Sequence, residues 1–165
     1  DLHSVRTLFP YTTLFRSYKA DGVTEIAKED LLYTDADFLI PAALEGQITA
    51  DNADRVKAKY IVEGANGPTS YEADQILNAK GKIVVPDILA NAGGVIVSYF
   101  EWVQNLQSLS WSLEEVNNKL ADILLKAFDE VYGLTEERGY PMRTSAYIIA
   151  LRRLVKTKKI RGIFP

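Results

Sequence analysis

The stretch PDILANAGGVIVSYFEWVQN, Pro86 to Asn105, decides how the rest of the chain is read. It leaves an apolar run, KIVVPD from Lys82, and crosses a turn of small residues, Asn91 to Gly94. It then continues as Val95, Ile96, Val97 and Ser98 into an aromatic segment. An apolar run, a glycine pair and a second, longer apolar run predict a strand, a tight loop and a helix in that order. The glycines lack bulk, so a flat ligand can reach the backbone at the helix start, where free N–H groups favour a carboxylate. Val95 and Ser98, three apart, share a helix face with Trp102. Ile96, Tyr99, Phe100 and Val103 fall on an adjacent apolar arc expected to face the core. Ser98 has two readings: its hydroxyl bonds the carbonyl one turn back, or it contacts a ligand.

Upstream, the same unit recurs. ADFLIPA (36–42) and KYIVEGA (59–65) are two further apolar runs. Taken from Asp37, Lys59 and Lys82, the three runs start 22 and 23 residues apart, a regular spacing that marks repeated units. Helical signals lie between them, in DNADRVKA (51–58) and in YEADQILNAKG (71–81). Thr69 and Glu72 form a capping-box pattern before the second, and Gly81 stops it. Such alternation predicts an α/β fold with a parallel sheet covered on both faces. Right-handed crossovers then gather three loops on one edge of that sheet, where open α/β sheets bind ligands. These are Pro41–Ala43, Gly64–Pro68 and Pro86–Gly94. Two of them carry an asparagine, Asn66 and Asn91, whose carboxamide can donate and accept at once. Either asparagine alone also reads as a turn residue beside glycine, but two on one edge favour binding.

After the third run the chain turns helical. Ser112 and Glu115 form a second capping-box pattern, and Leu113 to Val131 carries apolar residues at spacings of three and four, a long amphipathic helix. Gly139 and Pro141 break it before a last helix, Arg143 to Lys158, with a basic end that suits the helix dipole better than nucleic acid.

Composition narrows the function classes. The 165 residues are 47% hydrophobic and 25% charged, as in an ordinary soluble globular unit, and the net charge of −3 gives no case for nucleic acid or an anionic membrane. No run of about eighteen apolar residues is present to span a bilayer. Cysteine is absent and His3 is the only histidine, which removes thiol nucleophiles, disulfides and the usual metal ligands, and favours a reducing compartment. No metal site is expected. Residues 1–17 stand apart. They read as an organellar transit peptide, as an exposed hairpin around Pro10 or, preferred here, as a non-native segment. TLFPYTTLFRS, Thr7 to Ser17, matches the in-frame translation of a common sequencing adapter. Residues 18–165 are then the domain proper. No G-x-G-x-x-G, no P-loop and no acidic residue ending a preceding strand is found, so the chain is expected to be a truncated piece.

Four segments carry a family resemblance: IPAALEGQIT, VEGANGPTSYEAD, VPDILANAGGVIVSYFEWVQN and RTSAYIIALRRL with RGIFP. Together they resemble the glutamate/leucine/phenylalanine/valine dehydrogenases from Ala36 to Pro165, and SYFEWVQN is similar to the glutamate branch. The resemblance implies the second half of a Rossmann-like doubly wound parallel sheet followed by C-terminal helices. It implies NAD or NADP as cofactor and the oxidative deamination of L-glutamate to 2-oxoglutarate and ammonia. It further implies a homo-oligomer, a hexamer when full length. A cytoplasmic location is expected from the missing cysteine and the short loops, and charge and hydropathy lead to no nucleic-acid or membrane partner. By the same resemblance Ala42 and Ala43 lie along the adenosine side. Gly64 and Asn66 are near the nicotinamide ribose, and Asn91 holds the nicotinamide carboxamide. Val95 and Ser98 line the pocket for the substrate's side-chain carboxylate. The lysine and aspartate that manage the proton have no counterpart here, so no catalytic residue is expected, and Asp87 reads as a structural hydrogen-bonding group. A leucine or phenylalanine branch member and a non-catalytic nucleotide-binding or assembly module are the alternatives. Exposed apolar surface beside the 37–42 strand would favour truncation over a self-contained module.

Overall fold

The computed structural model describes residues 26–162, leaving aside the side chains of Lys28 and Glu29. The chain divides into two compact units, Asp1–Leu31 and Leu32–Pro165. The expectations for residues 1–17 fall outside the described residues. A 3-10 turn spans Lys28–Tyr33, and the helical signal at 51–58 is realised only as a 3-10 turn, Ala53–Arg55.

The second unit is built on three parallel strands in the order β1 (Phe38–Leu39), β2 (Tyr60–Val62), β3 (Ile83–Val85). The expected starts stand side by side: the Tyr60 N–H donates to the Asp37 carbonyl, and the Ile83 N–H to that of Lys59, each at 3.0 Å. The strands are shorter than the apolar runs. Pro41 and Pro86 lack the N–H a ladder needs, so the chain turns outward there. The loops nevertheless stay tied to the sheet, with the Ala65 N–H donating to the Pro41 carbonyl at 2.9 Å and the Glu63 N–H to that of Val85 at 3.1 Å.

Alternation along the strands divides the side chains between two cores. Ile61 and Val84 pack with Ile48, Ala53, Val56, Ala58, Ala73 and Leu77 on one face. Ile83 and Val85 pack with Leu89, Val131, Met142 and Ala146 on the other. Ile48, Ile61 and Leu77 are fully buried, and each contributes roughly 1.5–3 kcal/mol by leaving water.

Helix α1 (Tyr71–Ala79) begins at Ser70, whose Oγ accepts the Ala73 N–H at 3.2 Å. The expected Thr69–Glu72 capping box is therefore one residue out of place. Thr69 sits in an isolated parallel bridge to Ile48, and its buried hydroxyl has no hydrogen-bond partner among the described residues. Ser70 is the residue with extended, cap-type backbone (φ −68°, ψ 162°). Gly81 follows at φ +70°, the left-handed conformation that ends a helix cheaply only in glycine.

From β3 the chain enters a short helix, α2 (Asp87–Ala90), and then α3 (Gly93–Gln107). The long α4 (Leu113–Arg138) starts with the expected capping box: the Ser112 N–H donates to Glu115 Oε2 at 2.7 Å, and the Glu115 N–H to Ser112 Oγ at 3.2 Å. It stops at Gly139, φ +67°. The last helix, α5 (Met142–Arg161), follows Pro141 and packs on α4 and β3. On α3, Phe100 is buried and meets Trp111 edge-on at 5.6 Å. Tyr99 departs from expectation: it is 57% exposed and lies beside Trp102, ring centroids 5.8 Å apart. Val95, Ser98, Tyr99 and Trp102 stand at i, i+3, i+4 and i+7, one stripe of a helix, so Tyr99 goes with the exposed side.

Candidate functional site

The three loops meet at the carboxyl ends of the strands, as parallel crossovers require. Their backbones approach closely. A Cβ placed on Gly64 would lie 3.0 Å from the Ala42 Cβ and 3.6 Å from Ile40 Cγ2, so the first loop can lie against the second only because residue 64 has no side chain. Asn91, at the end of α2, bridges the second and third loops. Its Nδ2 donates to Asn66 Oδ1 at 2.6 Å and reaches the Gly64 carbonyl at 3.4 Å. A shallow recess of about 490 Å³ opens over this junction, lined by Ala43, Leu44, Glu45, Gly64, Ala65, Asn66 and Asn91. Four of the five residues expected at a cofactor line it, and Ala42 backs it against Gly64.

The paired asparagines leave complementary groups over. With Asn66 Oδ1 taken by Asn91 Nδ2, the Asn66 amide remains as donor and the Asn91 carbonyl oxygen as acceptor. One donor and one acceptor at the rim of a recess suit a ribose hydroxyl or a carboxamide. Val95 and Ser98 do not line this recess. They stand on the exposed stripe of α3, Val95 at 70% exposure. The bond to a carbonyl one turn back is made in this helix by Gln104, whose Nε2 donates to the Phe100 carbonyl at 3.2 Å.

Beneath the recess lies a charged cluster that sequence reasoning missed. Glu63, directly after β2, is fully buried. One of its oxygens accepts the Asp87 N–H at 2.8 Å; the other accepts Arg143 Nη2 at 2.6 Å. Arg143 also donates from Nε to Asp74 at 3.2 Å and from Nη1 to Asp87 at 3.4 Å. Asp87 accepts the Gly67 N–H at 2.8 Å with its other oxygen, the structural role expected of it. Burial by itself lowers the Arg143 pKa, but the hydrogen bond and charge of Glu63, joined by Asp74, hold it above its ordinary value. Two signals were present in the sequence. Glu63 interrupts an apolar run at a strand end, and Arg143 places a cation in the first turn of a helix, where the dipole disfavours it unless acids lie nearby.

Together these features define a parallel-sheet α/β protein with three small-residue loops gathered at the strands' carboxyl ends. The description Glutamate/Leucine/Phenylalanine/Valine dehydrogenase belongs to the family model that matches residues 2–162, and the chain is a member of that family. It is 57% identical over 140 residues to a glutamate dehydrogenase of Thermotoga maritima, covering 85% of this chain and 34% of that protein. It is 54% identical over 138 residues to an NADP-specific glutamate dehydrogenase of Synechocystis, covering 84% and 32%. Among solved structures, a hetero-hexameric glutamate dehydrogenase of Thermus thermophilus, in a Leu-bound form, superposes with a TM-score of 0.82 at 34% identity, over 100% of this chain and 38% of that one. The chain thus spans about a third of the length of these relatives. No helix among the described residues is long and apolar enough to cross a membrane.

Proposed function

We propose that this chain is the carboxyl-terminal part of the cofactor domain of an NAD- or NADP-dependent glutamate dehydrogenase, whose intact protein converts L-glutamate to 2-oxoglutarate and ammonia as a cytoplasmic homo-oligomer. One observation carries the reading: the Asn66–Asn91 pair at the mouth of a recess built from small-residue loops on the ligand edge of the sheet. The residues present fit the nicotinamide-ribose end of a dinucleotide. The Gly64–Ala42 contact gives a flat floor, and the asparagine pair offers the donor and acceptor that a nicotinamide ribose and carboxamide need.

A nicotinamide held here would supply a hydride acceptor for the substrate's α-carbon, which requires the two to be kept in contact. In this reading Ala42 and Ala43 flank the adenosine side, Gly64 and Asn66 meet the nicotinamide ribose, and Asn91 orients the carboxamide. Val95 and Ser98, on the exposed stripe of α3, face the substrate's side-chain carboxylate. None of these residues transfers a proton. Proton transfer is assigned to protein outside this chain, so the chain on its own is expected to be inactive. Phe38, in the edge strand, and Ile40, directly after it, support the reading over that of a self-contained module, since each is 61% exposed.

The test is to recover the uninterrupted reading frame, express it, and follow NAD and NADP reduction with glutamate, leucine and phenylalanine. Glutamate-specific reduction is the expected result. Turnover of leucine or phenylalanine alone would transfer the protein to another branch, and no turnover with any amino acid would sink the enzyme reading.

A further inference from the structure

We propose that Arg143 is a positioning residue for the ligand edge, holding the two asparagine loops in register from the first turn of α5. The proposal rests on the reading above for what the edge binds, and on the charged cluster for how it is held.

The geometry is a closed circuit. Arg143 reaches three carboxylates from three different elements: Glu63 at the end of β2, Asp74 on α1 and Asp87 at the start of α2. Two of those carboxylates in turn hold backbone that belongs to the recess. Asp87 fixes the Gly67 N–H, one residue beyond Asn66, and Glu63 fixes the Asp87 N–H. Asp87 opens the short helix that Asn91 closes, because the Asn91 N–H donates to the Asp87 carbonyl at 3.1 Å. Asn91 then returns to Asn66. Each loop is therefore anchored twice to the other, once through Asp87 and once through the asparagine pair.

Arg143 is the one cation within hydrogen-bond reach of these acids among the described residues. Glu63 is 0% exposed and Asp74 nearly so. Without the guanidinium the buried carboxylates would be left uncompensated, which is strongly destabilising. Its fork geometry matters as well as its charge: Nε, Nη1 and Nη2 each meet a different carboxylate, which a lysine ammonium at one point cannot reproduce. The carboxylates do not line the recess, so Arg143 acts on it indirectly, through Glu63 and the adjoining Gly64 and through Asp87, Gly67 and the asparagines.

Two variants test this, Arg143→Lys and Arg143→Gln, in the full-length dehydrogenase carrying this segment and in the present chain. In the enzyme, Arg143→Gln is expected to raise the KM for the dinucleotide about tenfold or more while the KM for glutamate stays within about twofold. Arg143→Lys is expected to recover part of the loss. An equal rise in both KM values, or none in either, overturns the proposal. In the present chain, amide NMR reads the circuit without cofactor. Arg143→Lys is expected to shift the Gly67 N–H and the side-chain amides of Asn66 and Asn91. Unmoved signals there overturn the proposal even where the glutamine variant fails to fold. The two failures are separable: a wild-type enzyme with no dinucleotide-linked turnover sinks the functional reading, while the NMR result still decides whether Arg143 holds the loops.

Discussion

Position 64 shows how narrowly a single residue is constrained at the ligand edge. Its backbone does not require glycine by conformation, since residue 64 is not among the glycines of positive φ. The constraint is the Ala42 Cβ, which a methyl at residue 64 would meet at 3.0 Å. Gly64→Ala is therefore expected to destabilise the chain by about 1–3 kcal/mol, the usual range for overpacking a tight contact. Adding Ala42→Gly removes the opposing methyl and is expected to restore part of that loss, read as thermal midpoints in a double-mutant cycle. Additive midpoints would show that the two positions do not press on each other. Ser98 makes the opposite kind of prediction. It is exposed on α3, so Ser98→Ala is expected to leave folding unchanged. If the full-length protein has the proposed glutamate activity, the same variant is expected to weaken discrimination for glutamate by about 1–3 kcal/mol, the cost of leaving a charged group one bond short. Unchanged kinetics would make the hydroxyl incidental.

Elements were legible where local chemistry had one solution. The box at Ser112 and Glu115 follows a loop and precedes an apolar periodicity, and the helix starts there as expected. At α1 two hydroxyl residues stood in line, and Glu72 three residues after Thr69 pointed to the wrong one. The parallel bridge from Ile48 to Thr69 is a tertiary contact, invisible in local spacing, and it holds Thr69 in extended pairing so that Ser70 caps. The α4 box also gives a pH signature. The Glu115 carboxyl is held below its ordinary value of 4.5, first by the Ser112 backbone N–H, then by the Ser112 side chain and the Lys119 charge. A depressed carboxylate binds fewer protons folded than unfolded, so its contribution is present above about pH 4.5 and is lost as pH falls through the lower folded value. Glu115→Gln is expected to flatten that part of the acid dependence of the helical circular dichroism. Ser112→Ala is expected to cost about 1 kcal/mol at neutral pH. An acid profile unchanged in the glutamine variant would show that the box carries no linkage.

For the second unit as a whole, the strand period legible in the sequence set the direction and spacing of the strands, and hence the edge on which the three loops gather. Which faces remain uncovered was not legible, because an apolar residue in a short strand reads the same whether its cover is present or not. One face of the sheet is closed by α1 and its neighbours, with Ile61 and Val84 fully or nearly fully buried. On the other face α4 and α5 cover only the β3 side. A groove of about 580 Å³ remains over Phe38, Tyr60 and Val62 and reaches Ile83 and Val85 of β3, walled by Leu124, Leu125 and Phe128 of α4. Parallel sheets bury both faces, and this chain spans only about a third of its relatives' length, so the cover expected is protein from the remainder. The present chain is accordingly expected to bind an environment-sensitive dye such as ANS in its folded state and to self-associate as concentration rises. Phe38→Asp, at an exposed edge position whose ring stacks on Tyr60 at 4.9 Å, is expected to reduce both while lowering the thermal midpoint modestly through the lost stacking. The full-length protein is expected to bind little dye, because the same groove is then filled. Equal dye binding by the two proteins would show that the groove is an open surface of the intact enzyme and that the sheet is covered elsewhere.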